Sequence, residues 1–241
     1  MADIKQINLF FQEAISAMEY GNLAKAPFNR DYAWTKEDVI LFFESIQKQY
    51  PIGNIITWRP EEPKEWNNRL GPIMITEHPY YFIVDGHNRL ATMAYSMTLP
   101  QLIEPIIPYM TEQEKKVWGS GQTLTFNLKT TEINFIDNEE LKTLKNHIPV
   151  GMVISRHLNQ FLLKNPDKFD IDDDIILDNI DNMARKIRET KLLNLFLDKT
   201  PAEEAIDAFI HLAKVGQPMT KQDINNAQEW FLSQNSNSLK M

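Results

Sequence analysis

A chain of 241 residues is long enough to bury one large core or two small ones. It has no cysteine, which excludes disulfides and thiolate metal sites and fits a reducing cytoplasm, and its net charge of −8 argues against a broad basic surface for non-specific nucleic-acid binding. Met1-Ala2-Asp3-Ile4-Lys5 is not a basic region followed by an apolar run, so no signal peptide is expected, and no apolar stretch approaches the roughly 20 residues that span a bilayer.

In chain order, Ile4, Ile7, Phe11, Ile15 and Met18 recur at helical spacing, predicting one core-facing helix over residues 4–19. Pro27 pushes Ala26 to an extended conformation, so Leu23 to Trp34 reads as strand or loop. Thr35-Lys36-Glu37-Asp38 has the form of a capping box, with Trp34 placed to staple onto Val39. The helix it starts, to about Tyr50, turns Val39, Phe42, Phe43 and Ile46 inward. Asn54 to Trp58 reads as a strand, and residues 59–79, with four prolines and many charges, as a loop holding one short strand at Ile73-Met74-Ile75.

Tyr80-Tyr81-Phe82-Ile83-Val84 is a short buried strand, Asp85-Gly86 a turn, and Arg89 onward a helix with Leu90, Met93 and Met97 on one face. Leu124–Leu128 and Glu132–Phe135 alternate and should pair as strands. From residue 137 the pattern is helical: Ser155–Lys164, then Asp170 through Ile176, Ile180, Met183 and Ile187 and on toward Leu197. Thr200-Pro201-Ala202-Glu203 starts a helix burying Ala205, Ile206, Phe209, Ile210 and Leu212, and Thr220 starts a last one through Trp230. The expected layout is an α/β unit over residues 1–136 and a helical unit over 137–241.

The stretch Val84-Asp85-Gly86-His87-Asn88-Arg89 concentrates the chemistry. The amides of Gly86, His87 and Asn88 open a helix, where free N–H groups and the helix dipole attract anions. An acid (Asp85), a base or donor (His87), an amide (Asn88) and a fixed cation (Arg89) surround that point. The plainer alternative is a turn whose Asp caps the helix and whose Arg pairs with a surface acid. Pro27-Phe28-Asn29-Arg30-Asp31-Tyr32-Ala33-Trp34 is a second candidate, either a loop that clamps a ligand or a staple for the next helix. Asp170–Asp174 lacks the spacing and glycine of a calcium loop and reads as a solvated helix start. The five histidines show no metal-ligand spacing, Gly119-Ser120-Gly121 is no P-loop, and no Ser sits in a nucleophile elbow.

These two segments, with Gly53-Asn54-Ile55 between them, resemble the N-terminal domain of GmrSD-type restriction endonucleases. That family shows a Pro-x-Gln-Arg-x-Tyr-x-Trp segment and an Asp-Gly-Gln-Gln-Arg-Leu-Thr-Thr segment. Phe209-Ile210-His211-Leu212-Ala213-Lys214-Val215-Gly216 is similar to its Phe-x-x-Leu/Ile-Asn-x-x-Gly element. This chain departs from the pattern at Asn29 (Gln in the family), His87-Asn88 (Gln-Gln), Ala91 (Thr) and Ala213 (Asn). Asp-Gly-His-Asn-Arg is closer to the Asp-Gly-His-x-Arg of ParB-like nucleotide-binding proteins and ParB-fold serine kinases.

The resemblance implies an α+β fold, ParB/sulfiredoxin-like in its first unit with a helical second unit. It implies a cytoplasmic, bacterial or phage-encoded protein of DNA restriction or phage–host conflict that binds a nucleoside triphosphate with Mg²⁺ and, as a further expectation, hydrolyses it. Gly86, His87, Asn88, Arg89, Thr92, Arg30 and Asn29 would hold the nucleotide. Asp85, His87, Arg89 and Arg30 would serve the chemistry, with Asp85 on the metal and Tyr32 or Trp34 stacking on the base. DNA is an expected partner. No His-Asn-His pattern occurs, so a nuclease of the HNH type implies a partner chain. A ParB-fold phosphotransferase, a non-catalytic DNA-binding module, and a degenerate relative without chemistry stay open as alternatives.

Overall fold

Strand pairing over very long sequence separations decides this architecture. The computed structural model describes residues 3–61, 69–74, 79–170, 174–215, 225 and 229. In order these form β1 (Asp3–Phe10), α1 (Phe11–Glu19), β2 (Leu23–Lys25), α2 (Lys36–Gln47), β3 (Asn54–Trp58), β4 (Arg69–Leu70), β5 (Ile73–Met74), β6 (Tyr81–Asp85) and α3 (His87–Met97). Next come α4 (Pro100–Ile103), a 3₁₀ segment (Glu104–Tyr109), α5 (Glu112–Trp118), β7 (Gln122–Asn127), β8 (Ile133–Asp137), α6 (Asn138–Leu141), β9 (His147–Pro149) and α7 (Val150–Val153). Then follow α8 (Leu158–Lys164), a 3₁₀ turn (Pro166–Lys168), α9 (Asp174–Glu189), β10 (Lys191–Asp198) and α10 (Ala202–Val215). The fold is α+β. The helix expected over Thr220–Trp230 lies outside the described residues.

The main sheet is mixed, in the order β1-β10-β3-β6-β2. β1 and β10 run antiparallel from Asp3↔Asp198 to Phe10↔Lys191, and β10 lies parallel to β3 from Leu193↔Asn54 to Leu197↔Trp58. Two expectations are corrected here. Residues 3–10 are strand rather than the start of a helix, and the helix that begins near Asp174 stops at Glu189, with 191–198 extended. The apolar positions of residues 3–10 do not alternate, so their strand state is set by pairing, and Leu192-Leu193-Asn194-Leu195-Phe196-Leu197 is apolar but for Asn194, suited to a strand buried between two others. Each strand supplies the other's hydrogen bonds, and that context overrides the local pattern. The sheet therefore runs across the expected boundary at residue 136.

Alternation along β6 feeds a core on each face of the sheet. Ile83 joins the larger cluster with Phe11, Phe43, Leu90 and Met93, while Phe82 and Val84 join a second with Trp58, Phe28 and Phe209 of α10. The predicted capping box is present: Thr35 Oγ1 accepts from Asp38 N, and the Asp38 carboxylate accepts from Thr35 N at 2.9 Å. β7 pairs with β8 as expected, Leu124 facing Phe135, and takes β9 on its other edge.

A buried ion pair ties α5 to the sheet side of α3. Arg69 donates to the Glu114 carboxylate and to the Tyr95 hydroxyl (2.6 Å), Tyr95 donates to Glu114 Oε1 (3.0 Å), and Thr111 N donates to Glu114 Oε2 (2.8 Å). Glu114 is buried, so losing one partner strands a charge away from water. Glu114→Leu is expected to lower stability by about 3–5 kcal/mol, with much of the loss recovered when Arg69→Met is added, both read from urea midpoints.

Candidate functional site

The site is built on an irregularity at the end of β6. On β3, Ile56 faces Asp85 but Thr57 faces Ile83, so Val84 has no partner and the ladder bulges. A bulge leaves carbonyls without their ladder donors. Asn29, buried in the loop after β2, supplies one amide: its Nδ2 donates to Ile83 O (3.0 Å) and Val84 O (3.3 Å). Two further clamps hold the same loop. Ala33 N donates to Asn88 Oδ1 at 2.9 Å, and the Tyr32 and Thr92 hydroxyls bond at 2.8 Å. Phe28 packs between Trp58 and Phe209, with ring centroids 5.9 and 5.6 Å away.

After the bulge the chain reverses at Gly86, which has φ +92°. A Cβ there would lie 2.6 Å from Ile55 Cγ2, so conformation and space both require glycine. α3 starts at once, and its first amides have no acceptor within the helix. Arg89 folds back over the start of β3. Its guanidinium donates to Asn54 O, lies 3.9 Å from Asp85 Oδ2, and covers Gly53, where a Cβ would come within 3.0 Å of it.

The structure thus brings the three resembling segments to one place: Asn29, Tyr32 and Ala33 meet β6 and α3, Gly53 and Asn54 meet Arg89, and α10 meets Phe28. The residues do not share one environment. Asn29, Asn88 and Thr92 are buried and hydrogen-bonded within the protein, and Tyr32 is 3 % exposed with no face open to a base. Trp34 packs against Phe42 at 5.4 Å rather than on Val39 alone. Ala213 falls where side chains are not described. Open to solvent are Asp85, whose side chain is 51 % exposed, and in part Arg89 at 24 % and Arg30. Arg30 has no hydrogen bond or ion pair among the described residues.

His87 is buried, and its Nδ1 has no hydrogen-bond partner. Burial, with the positive charges of Lys25, Arg69 and Arg30 around it, holds the imidazole well below its ordinary pKa, so it is neutral at pH 7. Lys25 pairs with Asp31 at 2.8 Å. Burial also pushes the Tyr32 phenol well above its ordinary range, so it stays a neutral hydroxyl. Free helix amides and Arg30 fit a phosphate group, with the neutral imidazole enclosed behind them. Mg²⁺ commonly takes one or two carboxylates and completes its shell with phosphate oxygens and water, which suits Asp85. Among the described residues no group of three His, Asp or Glu side chains could hold a metal alone. Asp170 accepts from Lys129 (2.8 Å) and Asn146 (3.0 Å), a structural pairing, and residues 171–173 lie outside the described ones.

The sequence pattern of GmrSD restriction endonuclease N-terminal domains matches residues 11–230, most of the chain. This chain belongs to that family. No curated protein matches it. The GmrSD match spans both the α/β strands and the helices that follow them, in keeping with the shared sheet. Among the described residues no helix is long and apolar enough to cross a membrane.

Sequence reasoning missed Arg69 and Glu114, which stand beneath the site. The Leu70-Gly71-Pro72-Ile73 turn between short apolar segments was the available sign of the hairpin that carries Arg69. The burial of His87 generates a stability prediction. The unfolded imidazole takes up a proton as pH falls through about 6.5, while the folded one resists it, so stability is lost below that pH. Between pH 6.5 and 5.5 the loss should approach about 1.4 kcal/mol per pH unit, and His87→Gln should flatten it, measured as urea midpoints across that range.

Proposed function

We propose that this GmrSD-family domain binds the phosphates of a nucleoside triphosphate with Mg²⁺ at the β6–α3 turn, as the nucleotide-dependent control module of a DNA restriction system. Arg30 is the observation that carries the reading. It is a cation without a partner among the described residues, within electrostatic reach of a buried imidazole whose Nδ1 is also unsatisfied, at a helix start with free amides. An anion at that point would satisfy Arg30 and the helix amides, with the enclosed His87 imidazole behind them.

In this reading the amides of His87 and Asn88 and the Arg30 guanidinium hold phosphate oxygens. Arg89, which now contacts Asp85 and Asn54 O, sits at the edge of the same space. Mg²⁺, when bound, neutralises phosphate charge. Asp85 would hold it or orient a water, and buried His87, which stays neutral and resists taking up a proton, helps to support the turn. Asn29, Asn88, Thr92 and Tyr32 support the turn from behind. Hydrolysis of the nucleotide, and cleavage of DNA by an HNH-type partner chain, belong to the same proposal.

Calorimetric titration of ATP, GTP, CTP and UTP with Mg²⁺ tests it. One nucleotide should bind the wild type, and Arg30→Ala should weaken that binding by about tenfold or more, the loss of a charge-assisted hydrogen bond. Because Arg30 makes no bond among the described residues, the thermal midpoint should not move. Binding unchanged in Arg30→Ala overturns the placement. Asp85→Asn should keep nucleotide binding and lose phosphate release.

A further inference from the structure

A second concavity lies at the far end of α3 from the phosphate turn. Its volume is about 140 Å³, and it is bounded by the last turn of α3, the 3₁₀ segment Glu104–Tyr109, the end of α5, β7 and the start of α6. Part of its floor is the edge of the Trp118 indole, 6 % exposed, stacked on Tyr95 at 5.1 Å with 13° between the rings and met by the Phe135 ring at 5.5 Å. The Tyr95 hydroxyl is in turn held by Arg69 and Glu114, so this floor is rigid.

The polar lining has bonding capacity left over. Thr123 Oγ1 donates to Asn138 Oδ1 at 2.7 Å, which leaves the Asn138 Nδ2 donors without a partner among the described residues. Lys36 occupies the Gln122 carbonyl oxygen and leaves its Nε2 donors in the same state. Ser96 and Thr98 each give their hydroxyl hydrogen to a helix carbonyl, at 2.8 Å, and keep lone pairs as acceptors. Glu104 adds a carboxylate at the mouth, and no Lys, Arg or His lines the space.

These groups define a ligand. With no cation and one carboxylate, the cavity disfavours phosphates and other anions. Its rigid aromatic edge suits the apolar rim of a small ring, and its amide donors and hydroxyl acceptors suit a ring with acceptors and donors on its edge. A cavity of about 150 Å³ admits benzene, so one six-membered ring fits and a fused bicycle does not. We propose that this cavity binds the base of a pyrimidine, presented either as a free nucleoside or swung out of a DNA strand.

Titration of the full chain with cytidine, uridine and adenosine, and with single-stranded oligonucleotides of thymidine or of adenosine, followed by ligand-observed NMR and calorimetry, tests this. A pyrimidine, free or in the strand, should bind about tenfold or more tightly than the matching adenine ligand. Asn138→Leu, which removes the amide donors, and Thr98→Phe, which fills the space, should each weaken it about tenfold, the scale of one lost buried hydrogen bond. Thr98→Phe should leave Mg²⁺-nucleotide binding at the β6–α3 turn unchanged, separating this site from the phosphate turn. Binding of the thymidine strand without the free nucleosides identifies the DNA source, and the reverse identifies the nucleoside. Failure of every pyrimidine ligand, equal binding of adenine, or wild-type affinity in both cavity variants overturns the proposal.

Discussion

The amide of Asn29 on the two carbonyls at the end of β6 is the contact on which the site depends. A strand that ended in regular pairing would deliver Asp85 on the alternation set by Ile83 and Val84. The bulge removes Val84 from the ladder and shifts that alternation by one, so Asp85 emerges toward solvent while Ile83 and Val84 stay in opposite cores. Ile83 O also accepts from Ala26 N at 3.2 Å, but the Val84 carbonyl, displaced by the bulge, takes its donor from Asn29, and an unsatisfied group in a buried place costs about 1–3 kcal/mol. Fixing Asn29 fixes the loop that carries it, and with that loop comes Arg30. One side-chain amide therefore stabilises the strand end and places the cation beside it.

That economy explains why so many residues of the two motifs face inward. Asn29, Asn88, Thr92 and Tyr32 look, in a linear string, like groups collected for a ligand, yet each bonds to another part of the protein. What they frame is small: a turn of backbone, two arginines, an acid and a dry imidazole. A ligand held mainly by backbone and guanidinium groups is recognised by its charge and shape, and the buried residues make that frame stiff.

Much of this was readable residue by residue. Thr35 and Asp38 announce a helix start within four positions, Leu124 to Phe135 a hairpin by alternation, and Val84-Asp85-Gly86 a strand that stops. Each of these is a local pattern closed by local bonds. β1 and β10 were not readable in this way, because Ile4, Ile7 and Phe10 follow the helical spacing and the deciding partner lies far along the chain, as the Lys5–Asp198 bond at 2.7 Å across 193 positions shows. Arg69 and Glu114 escaped for the same reason: nothing near either one reports the other. His87 was legible as a polar residue in a polar motif, but its burial follows from packing that no motif records.

The insertion of β10 between β1 and β3 also orders events in time. The neighbour that β1 requires is among the last strands to leave the ribosome, so for most of synthesis the first eight-residue strand and the free edge of β3 have no partner. The main sheet is completed only when residues near 195 appear, a high-contact-order step that is slow and leaves two sticky edges open meanwhile. A chain that stops before residue 191 cannot complete the sheet: β3, whose Gly53 and Asn54 lie under Arg89 at the phosphate turn, keeps an open edge until β10 docks on it.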